Sequence, residues 1–273
     1  MEKIDRLGWT AGFAFRSYGV RVGVRVNNAD LLERLRTHLP PSWKPAPSPS
    51  VQHIYSLFAG RTSGRNIRGY NLLYRNTVRL VRTLDLEQLF DVFESDLHLN
   101  VAESAKQRIF VHAGVVGWRG RAILIPGRSL SGKTTLVAEL LRAGAVFYSD
   151  EYAVLDSRGR VHPYPRSLAI RESGSVKQTR RTPEALGAVV GAQPLPVGLV
   201  VVSKYKNGAR WRPRILSPGL GALALLDNTV SIRRTPDKAL PALTRAVSRA
   251  PILTGVRGEA KETVDLILRT FER

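Results

Sequence analysis

At 273 residues the chain is long enough for one large domain or two modest ones, and a hydrophobic content of 43% supports a packed core and excludes wholesale disorder. The absence of cysteine excludes disulfides, thiolate metal sites and a cysteine nucleophile, and it fits a reducing cytoplasmic setting. Against 22 Asp and Glu stand 42 Lys and Arg, a formal net charge of +20: such a field draws nucleic acid, acidic protein, phosphorylated metabolites or anionic lipid, or simply solubilises the surface.

The N-terminus carries Glu2, Lys3, Asp5 and Arg6 with no apolar run between them, so no signal peptide is expected. Alternating Val20, Val22, Val24 and Val26 predict a strand or hairpin within 13–26. Asn28 is placed to cap a short helix over 30–39, which Pro40 and Pro41 stop. A Pro- and Ser-rich loop at 45–50 precedes two apolar runs, 53–58 and 70–81. Asp85 then opens a helix whose apolar face is Leu86, Leu89, Phe90, Val92 and Phe93. Residues 1–104 thus read as an N-terminal α/β segment, a substrate or accessory subdomain or extra layers on the remainder.

Strands are expected at 109–116 and 121–126, and a helix at 134–143 with Gly144 at its C′ position. Two further strands, 145–148 and 152–155, flank the acidic pair Asp150-Glu151. The most membrane-like stretch, 185–202, contains Gln193, Pro194 and Pro196 and is expected as two buried strands joined by a turn, with no membrane span. Amphipathic helices at 237–248 and 259–271 close the chain, with Pro251 between them. Alternating strands and helices place the chain in the α/β class.

Gly127-Arg128-Ser129-Leu130-Ser131-Gly132-Lys133-Thr134 matches the phosphate-binding pattern G-x-x-x-x-G-K-[ST] in full, and Thr135 extends it. Glycines let the backbone curl so that successive N–H groups surround phosphate oxygens. Lys133 reaches the β- and γ-phosphates, Thr134 offers a hydroxyl to Mg²⁺, and the helix that follows adds its positive end. An apolar strand leads in and a helix leads out, as that mechanism requires. The expected ligand set is therefore ATP with Mg²⁺; no N-K-x-D sequence supports guanine instead.

A triphosphate site needs an acid to handle Mg²⁺ or to accept a proton. Asp150 lies 17 residues beyond Lys133, just past the strand expected after the loop's helix, where an α/β fold returns the chain to the ligand edge of its sheet. Alternation along a strand would point Asp150 and Glu151 differently, one to the nucleotide and the other to a structural partner.

Three segments carry a resemblance: His112-Ala113-Gly114, the run from Ile125 to Leu136, and Tyr148-Ser149-Asp150-Glu151. Together they resemble the catalytic domain of HPr kinase/phosphorylase, and more closely the shorter bacterial HPr-kinase-related proteins, best over 110–171. The resemblance implies a phosphoenolpyruvate-carboxykinase-like P-loop fold over 105–273, a mixed sheet with flanking helices. It also implies transfer of a phosphoryl group to a hydroxyl, typically serine in a protein or peptide. Carried over by position, it makes Asp150 the base for the acceptor hydroxyl, gives Glu151 a Mg²⁺ or water-positioning role, sets His112 beside the active site and offers Arg171 to neutralise developing charge. Ala169 stands where HPr kinases carry a glutamate, and no segment matches the one linked to their phosphorylase reaction, so kinase activity is the expectation and dephosphorylation is not.

Arginines at 61, 65, 68, 75, 79 and 82 are interleaved with Tyr70 and Tyr74, and Lys204, Lys206, Arg210, Arg212 and Arg214 with Tyr205 and Trp211. Such runs suit solvated strand faces, a nucleic-acid backbone, or an acidic or phosphorylated acceptor. The five histidines lack metal-ligand spacing, and no G-x-S-x-G elbow is present. The expected partners are a nucleotide and a peptide, protein or small-molecule hydroxyl acceptor; a homo-oligomer stays open, as does the alternative of an ATPase or switch protein that transfers nothing.

Overall fold

Tyr18 and Gly19 both take positive φ (50° and 85°), the backbone that a two-residue hairpin turn requires. They join β1 (Ala11–Ser17) to β2 (Val20–Val26) in an antiparallel pair, with Phe15 opposite Val22. The computed structural model describes residues 3–60, 69–127, 131–171, 178–230, 232 and 234–271, with Lys3, Arg171 and Gln178 described in backbone only. The chain divides into two units, Met1–Lys106 and Gln107–Arg273.

In the first unit, α1 (Leu31–Arg36) follows β2, and then β3 (Lys44–Pro45), β4 (His53–Phe58), β5 (Asn71–Arg75) and β6 (Val78–Thr83) complete a six-stranded sheet of order β3-β1-β2-β4-β5-β6. The expected 30–39 helix is shorter. Asn28 accepts the Asp30 N–H in a turn ahead of the helix, and from Thr37 to Leu39 the N–H groups bond three residues back, because the residue before a proline resists the α conformation. Asp85 accepts the Glu87 N–H at the start of α2 (Leu86–Ser104), which packs Leu89, Phe90, Phe93, Leu97 and Val101 against Val22, Val24, Tyr55, Leu57 and Leu73.

A polar network sits in that core. Tyr55 is fully buried and opposite Arg75 in the β4–β5 pair. Its hydroxyl donates to Asp96 of α2 at 2.7 Å, and Arg75 donates to the same carboxylate at 3.0 Å. Burial and the Asp96 bond together push the Tyr55 hydroxyl above its ordinary value.

The second unit is built on β7 (Ile109–Trp118) and β8 (Arg121–Pro126), a hairpin turned by Arg119 and Gly120. After α3 (Lys133–Arg142), the N–H of Ala145 bonds the Leu140 carbonyl and that of Gly144 bonds Leu141, with Gly144 at φ 95°: a Schellman ending. β9 (Val146–Ser149) and β10 (Tyr152–Leu155) both pair antiparallel with β7, on either side of the Asp150-Glu151 bend. β11 (Val161–His162) borders β10, and β12 (Leu168–Arg171) pairs only with β13 (Gln178–Arg181). β14 (Val197–Tyr205), β15 (Arg214–Leu216), α4 (Pro218–Leu226), α5 (Pro236–Val247), β16 (Ile252–Arg257) and α6 (Ala260–Phe271) follow.

The main sheet runs β11-β10-β7-β8-β14-β16-β15, with β8, β14 and β16 mutually parallel. Side chains of one face (Val111, Val115, Leu124, Val200) pack with α4 and α5; those of the other (Val116, Ile123, Leu199, Val201) pack with α3 and α6. Burial on both faces accounts for the unbroken apolar runs of β8 and β14. The expected strand pair across 185–202 is corrected to one strand, β14. Ahead of it lie a short 3-10 turn (Glu184–Leu186) and isolated bridges at Val190 and Leu195, because Pro194 and Pro196 have no N–H to extend a ladder. Among the described residues, no helix is long and apolar enough to cross a membrane.

Asp96→Ala strands the buried Tyr55 hydroxyl and Arg75 together. It is expected to lower the stability of the chain by about 1–3 kcal/mol, read as a lower urea midpoint. An unchanged midpoint would show that water replaces the carboxylate at no cost.

Candidate active site

β8 delivers the chain to Gly127, whose N–H donates to the His112 carbonyl at 3.1 Å. Ser129, expected on the loop, lies with Arg128 and Leu130 outside the described residues. The loop closes through Ser131 and Gly132 into α3, with Gly132 in the left-handed region at φ 84°. A Cβ at Gly127 would stand 2.7 Å from the Ser131 hydroxyl, so the two ends of the loop approach too closely for a side chain there. Gly132 offers no side chain to cap α3, and the first-turn N–H groups of this helix have no N-cap oxygen to serve them. Such a helix end, with a positive dipole, suits an anion. Lys133 is half-buried beside it and Thr135 is exposed. Burial lowers the Lys133 pKa, against the pull of the Asp150 and Glu151 carboxylates.

Thr134 donates its hydroxyl to Asp150 Oδ2 at 2.8 Å. Two features bring these side chains together. The bend between β9 and β10 is fixed by the buried Ser149, whose Oγ accepts the N–H groups of Glu151 (3.2 Å) and Tyr152 (3.0 Å). Gly114 on β7 leaves the space into which α3 settles: a Cβ there would lie 2.5 Å from Val137, one turn beyond Thr134. Neither Ser149 nor Gly114 stood out in the sequence as a site residue, although both lie in the segments that carry the resemblance.

Asp150 Oδ1 and Ser131 Oγ are buried without a hydrogen-bond partner among the described residues. Burial raises the Asp150 pKa to about 7; the Thr134 bond, Lys133 and Arg166 act against the rise, and Glu151 adds to it. Arg166 is thus a nearby cation that the sequence reading did not single out. A carboxylate that titrates near neutrality can exchange a proton under ordinary conditions.

His112 faces the same bend. Its Nδ1 lies 3.6 Å from Glu151, its ring centre 5.0 Å from that of Tyr152, and its backbone N–H donates to the Asn228 carbonyl at 2.8 Å. Burial lowers its pKa, Glu151 raises it and Lys133 lowers it, which favours a neutral imidazole. Arg171 ends β12, a strand that packs Leu168 into the cluster containing Leu136 and Leu140 of α3; its side chain lies outside the described residues. A residue absent from the sequence reading, Arg257 at the end of β16, donates to the Gly132 carbonyl at 2.8 Å.

No cluster of three metal-ligating His, Asp or Glu side chains forms among the described residues. His38 and His162 instead bond Glu94 and Asp156. Each basic run keeps an exposed ring, Tyr70 at 44% and Tyr205 at 48%. Arg61, Arg65 and Arg68 lie outside the described residues, Arg75 is held by Asp96, and Arg82 sits over the Tyr70 ring. In the second run Trp211 is buried and the Tyr205 hydroxyl donates to Glu259, while Lys204, Lys206, Arg210, Arg212 and Arg214 are exposed.

No protein-family model matches the chain, and no curated protein matches it. Among solved structures, the HPr(Ser) kinase/phosphatase from Coxiella burnetii aligns over 60% of this chain and 95% of its own, at 15% identity and a TM-score of 0.34. A likeness at that level identifies neither fold nor function.

The Asp150 environment has a measurable cost. With a folded pKa near 7 against an ordinary 3.8, the folded state holds the proton more tightly. Stability therefore falls as pH rises from about 4 to about 7, by at most about 4 kcal/mol, and is lowest with the carboxylate ionised. Asp150→Asn keeps an acceptor for Thr134 and carries no charge. It is expected to melt above the wild type at pH 8, with the advantage shrinking as pH is lowered towards 4; equal melting temperatures across that range would contradict the raised pKa.

Proposed function

We propose that the chain is an ATP- and Mg²⁺-dependent kinase that transfers the γ-phosphoryl group to a hydroxyl, foremost a serine in an acidic peptide or protein. The observation that carries this reading is Asp150: a half-buried aspartate bonded through one oxygen to the threonine of a phosphate-loop sequence, with its other oxygen buried and unpartnered among the described residues and its pKa raised to about 7.

The loop from Gly127 to Thr135, Ser129 and Ser131 included, holds the β- and γ-phosphates through backbone N–H groups, with Lys133 as its mobile cation. Thr134 gives its hydrogen to Asp150, which leaves its oxygen lone pairs to a cation. With Glu151 it supplies the hard oxygen donors that suit Mg²⁺, and the metal, when bound, neutralises phosphate charge. Asp150 takes the proton of the acceptor hydroxyl through Oδ1. The acceptor oxygen bonds the γ-phosphorus in line as the bond to the β-phosphate oxygen breaks, and ADP leaves. His112 steadies Glu151, and Arg171 is assigned the neutralisation of the charge that develops on the transferring group. No side chain needs to become a covalent nucleophile.

An acidic acceptor fits the second basic run. β14 is parallel to β8, so the turn after Tyr205 emerges at the sheet edge from which the phosphate loop also springs. Trp211 is buried, whereas Lys204, Lys206, Arg210, Arg212 and Arg214 are exposed beside a single exposed ring, Tyr205, so cations outnumber aromatic faces, which favours carboxylates or phosphates over stacked bases.

The test follows γ-labelled ATP with Mg²⁺ and a lysate of the source organism. Wild type is expected to label a discrete species, Lys133→Ala to lose nucleotide binding, and Asp150→Asn to bind nucleotide while transferring at least about 100-fold more slowly. Label that appears only as free phosphate would replace the kinase by an ATPase or switch protein, and label on a small molecule would move the acceptor out of the protein class. The transfer rate should also rise with pH through an inflection near 7, because only ionised Asp150 accepts the proton. That inflection should vanish in Asp150→Asn; its persistence would assign it to another group.

A further inference from the structure

Arg257 is the largest fully buried side chain among the described residues, only 2% exposed. Buried cations persist where hydrogen bonds hold them. Its Nη1 donates to the Gly258 carbonyl at 2.9 Å, its Nη2 to the Gly132 carbonyl at 2.8 Å, and its Nε has no partner among the described residues. The guanidinium carbon lies 5.4 Å from the Tyr205 ring centre, and the Tyr205 hydroxyl in turn donates to Glu259. A surface arginine on a solvated strand would need none of this.

The Gly132 carbonyl also accepts the Leu136 N–H at 3.2 Å, so it points down the axis of α3 into the first turn. In a planar trans peptide the carbonyl and the following N–H point in opposite directions. Fixing the Gly132 carbonyl therefore aims the Lys133 N–H outward from the helix start, to where an anion would bind. A bond from a cation also polarises that peptide and strengthens its N–H as a donor. Gly132 is constrained twice: its φ of 84° disfavours a side chain, and a Cβ there would collide with Arg257 Nη2.

We propose that Arg257 is the positioning residue of the phosphate-binding loop, acting through the Gly132–Lys133 peptide rather than touching the ligand. The proposal rests on the reading of residues 127–135 as a phosphate site, and it assigns to β16, at 125 residues' separation from Gly132, a share in nucleotide affinity.

The test titrates wild type, Arg257→Lys and Arg257→Ala with pyrophosphate, ADP and ATP by calorimetry, beside melting curves without ligand. Arg257→Ala is expected to weaken all three by roughly tenfold, the loss of one charge-assisted hydrogen bond, and Arg257→Lys to recover part of it. In the transfer assay the defect should appear in the KM for ATP, with the rate at saturation kept within a few-fold. A purely structural arginine would lower the melting temperature and leave the affinity of the folded protein alone. Affinities within twofold of wild type in a folded Arg257→Ala would therefore overturn the proposal, as would failure of both variants to fold, which would assign Arg257 to the core at large. Wild type that binds none of the three probes would instead remove the phosphate site itself, and the proposal with it.

Discussion

The candidate site depends on how closely α3 lies against β7. The hydrogen bond between Thr134 and Asp150 joins a helix start to a bend in a neighbouring strand, and it spans 2.8 Å only because Gly114 presents no side chain beneath Val137. Burial follows from the same contact. Asp150 is half-buried, its Oδ1 shielded by the packing that brings Thr134 to it, and desolvation is the largest influence on its pKa. The fold thus supplies in one arrangement a carboxylate near the helix start and the environment that makes it basic near pH 7.

The strand before Gly127 and the helix after Gly132 were legible in the sequence because each rests on local chemistry: an apolar run and a helix ending at Gly144. The bend that holds Asp150 was half legible, since Ser149 precedes the acids but its two backbone bonds exist only once β9 and β10 share β7 as partner. α4 was missed although Ser217 and Pro218 mark its start, because Leu220, Leu223, Leu225 and Leu226 give it apolar residues on several sides and no clean periodicity. β16 was overlooked between two stronger helical patterns.

Arg257 shows what a single chain of letters withholds. In a protein of 42 Lys and Arg, one more arginine before a glycine carries no signal. Its significance arises from the parallel pairing of β8, β14 and β16, which returns three strand ends to one edge of the sheet. There the loop, Tyr205 and Arg257 meet: a Cβ on Gly132 would collide with Arg257 and stand 3.6 Å from Tyr205. The +20 charge is likewise a poor guide by itself, since Arg75 is committed to Asp96 and Arg257 to backbone carbonyls, while the Lys204–Arg214 run remains exposed.

Charge balance at the site then bears on the order of events under the proposed chemistry. Asp150 owes its raised pKa to burial, while Thr134, Lys133 and Arg166 hold it in check. A polyphosphate arriving alone adds negative charge beside it and would drive the carboxyl further towards its protonated form, which cannot accept a proton. It would also draw on Lys133, the cation that helps keep Asp150 ionised. A nucleotide that enters with a divalent cation brings its own compensation, so the base stays competent only when phosphate and metal arrive together. The same electrostatics that make Asp150 a base near neutrality therefore discourage metal-free turnover, and they tie the state of the base to correct occupation of the loop.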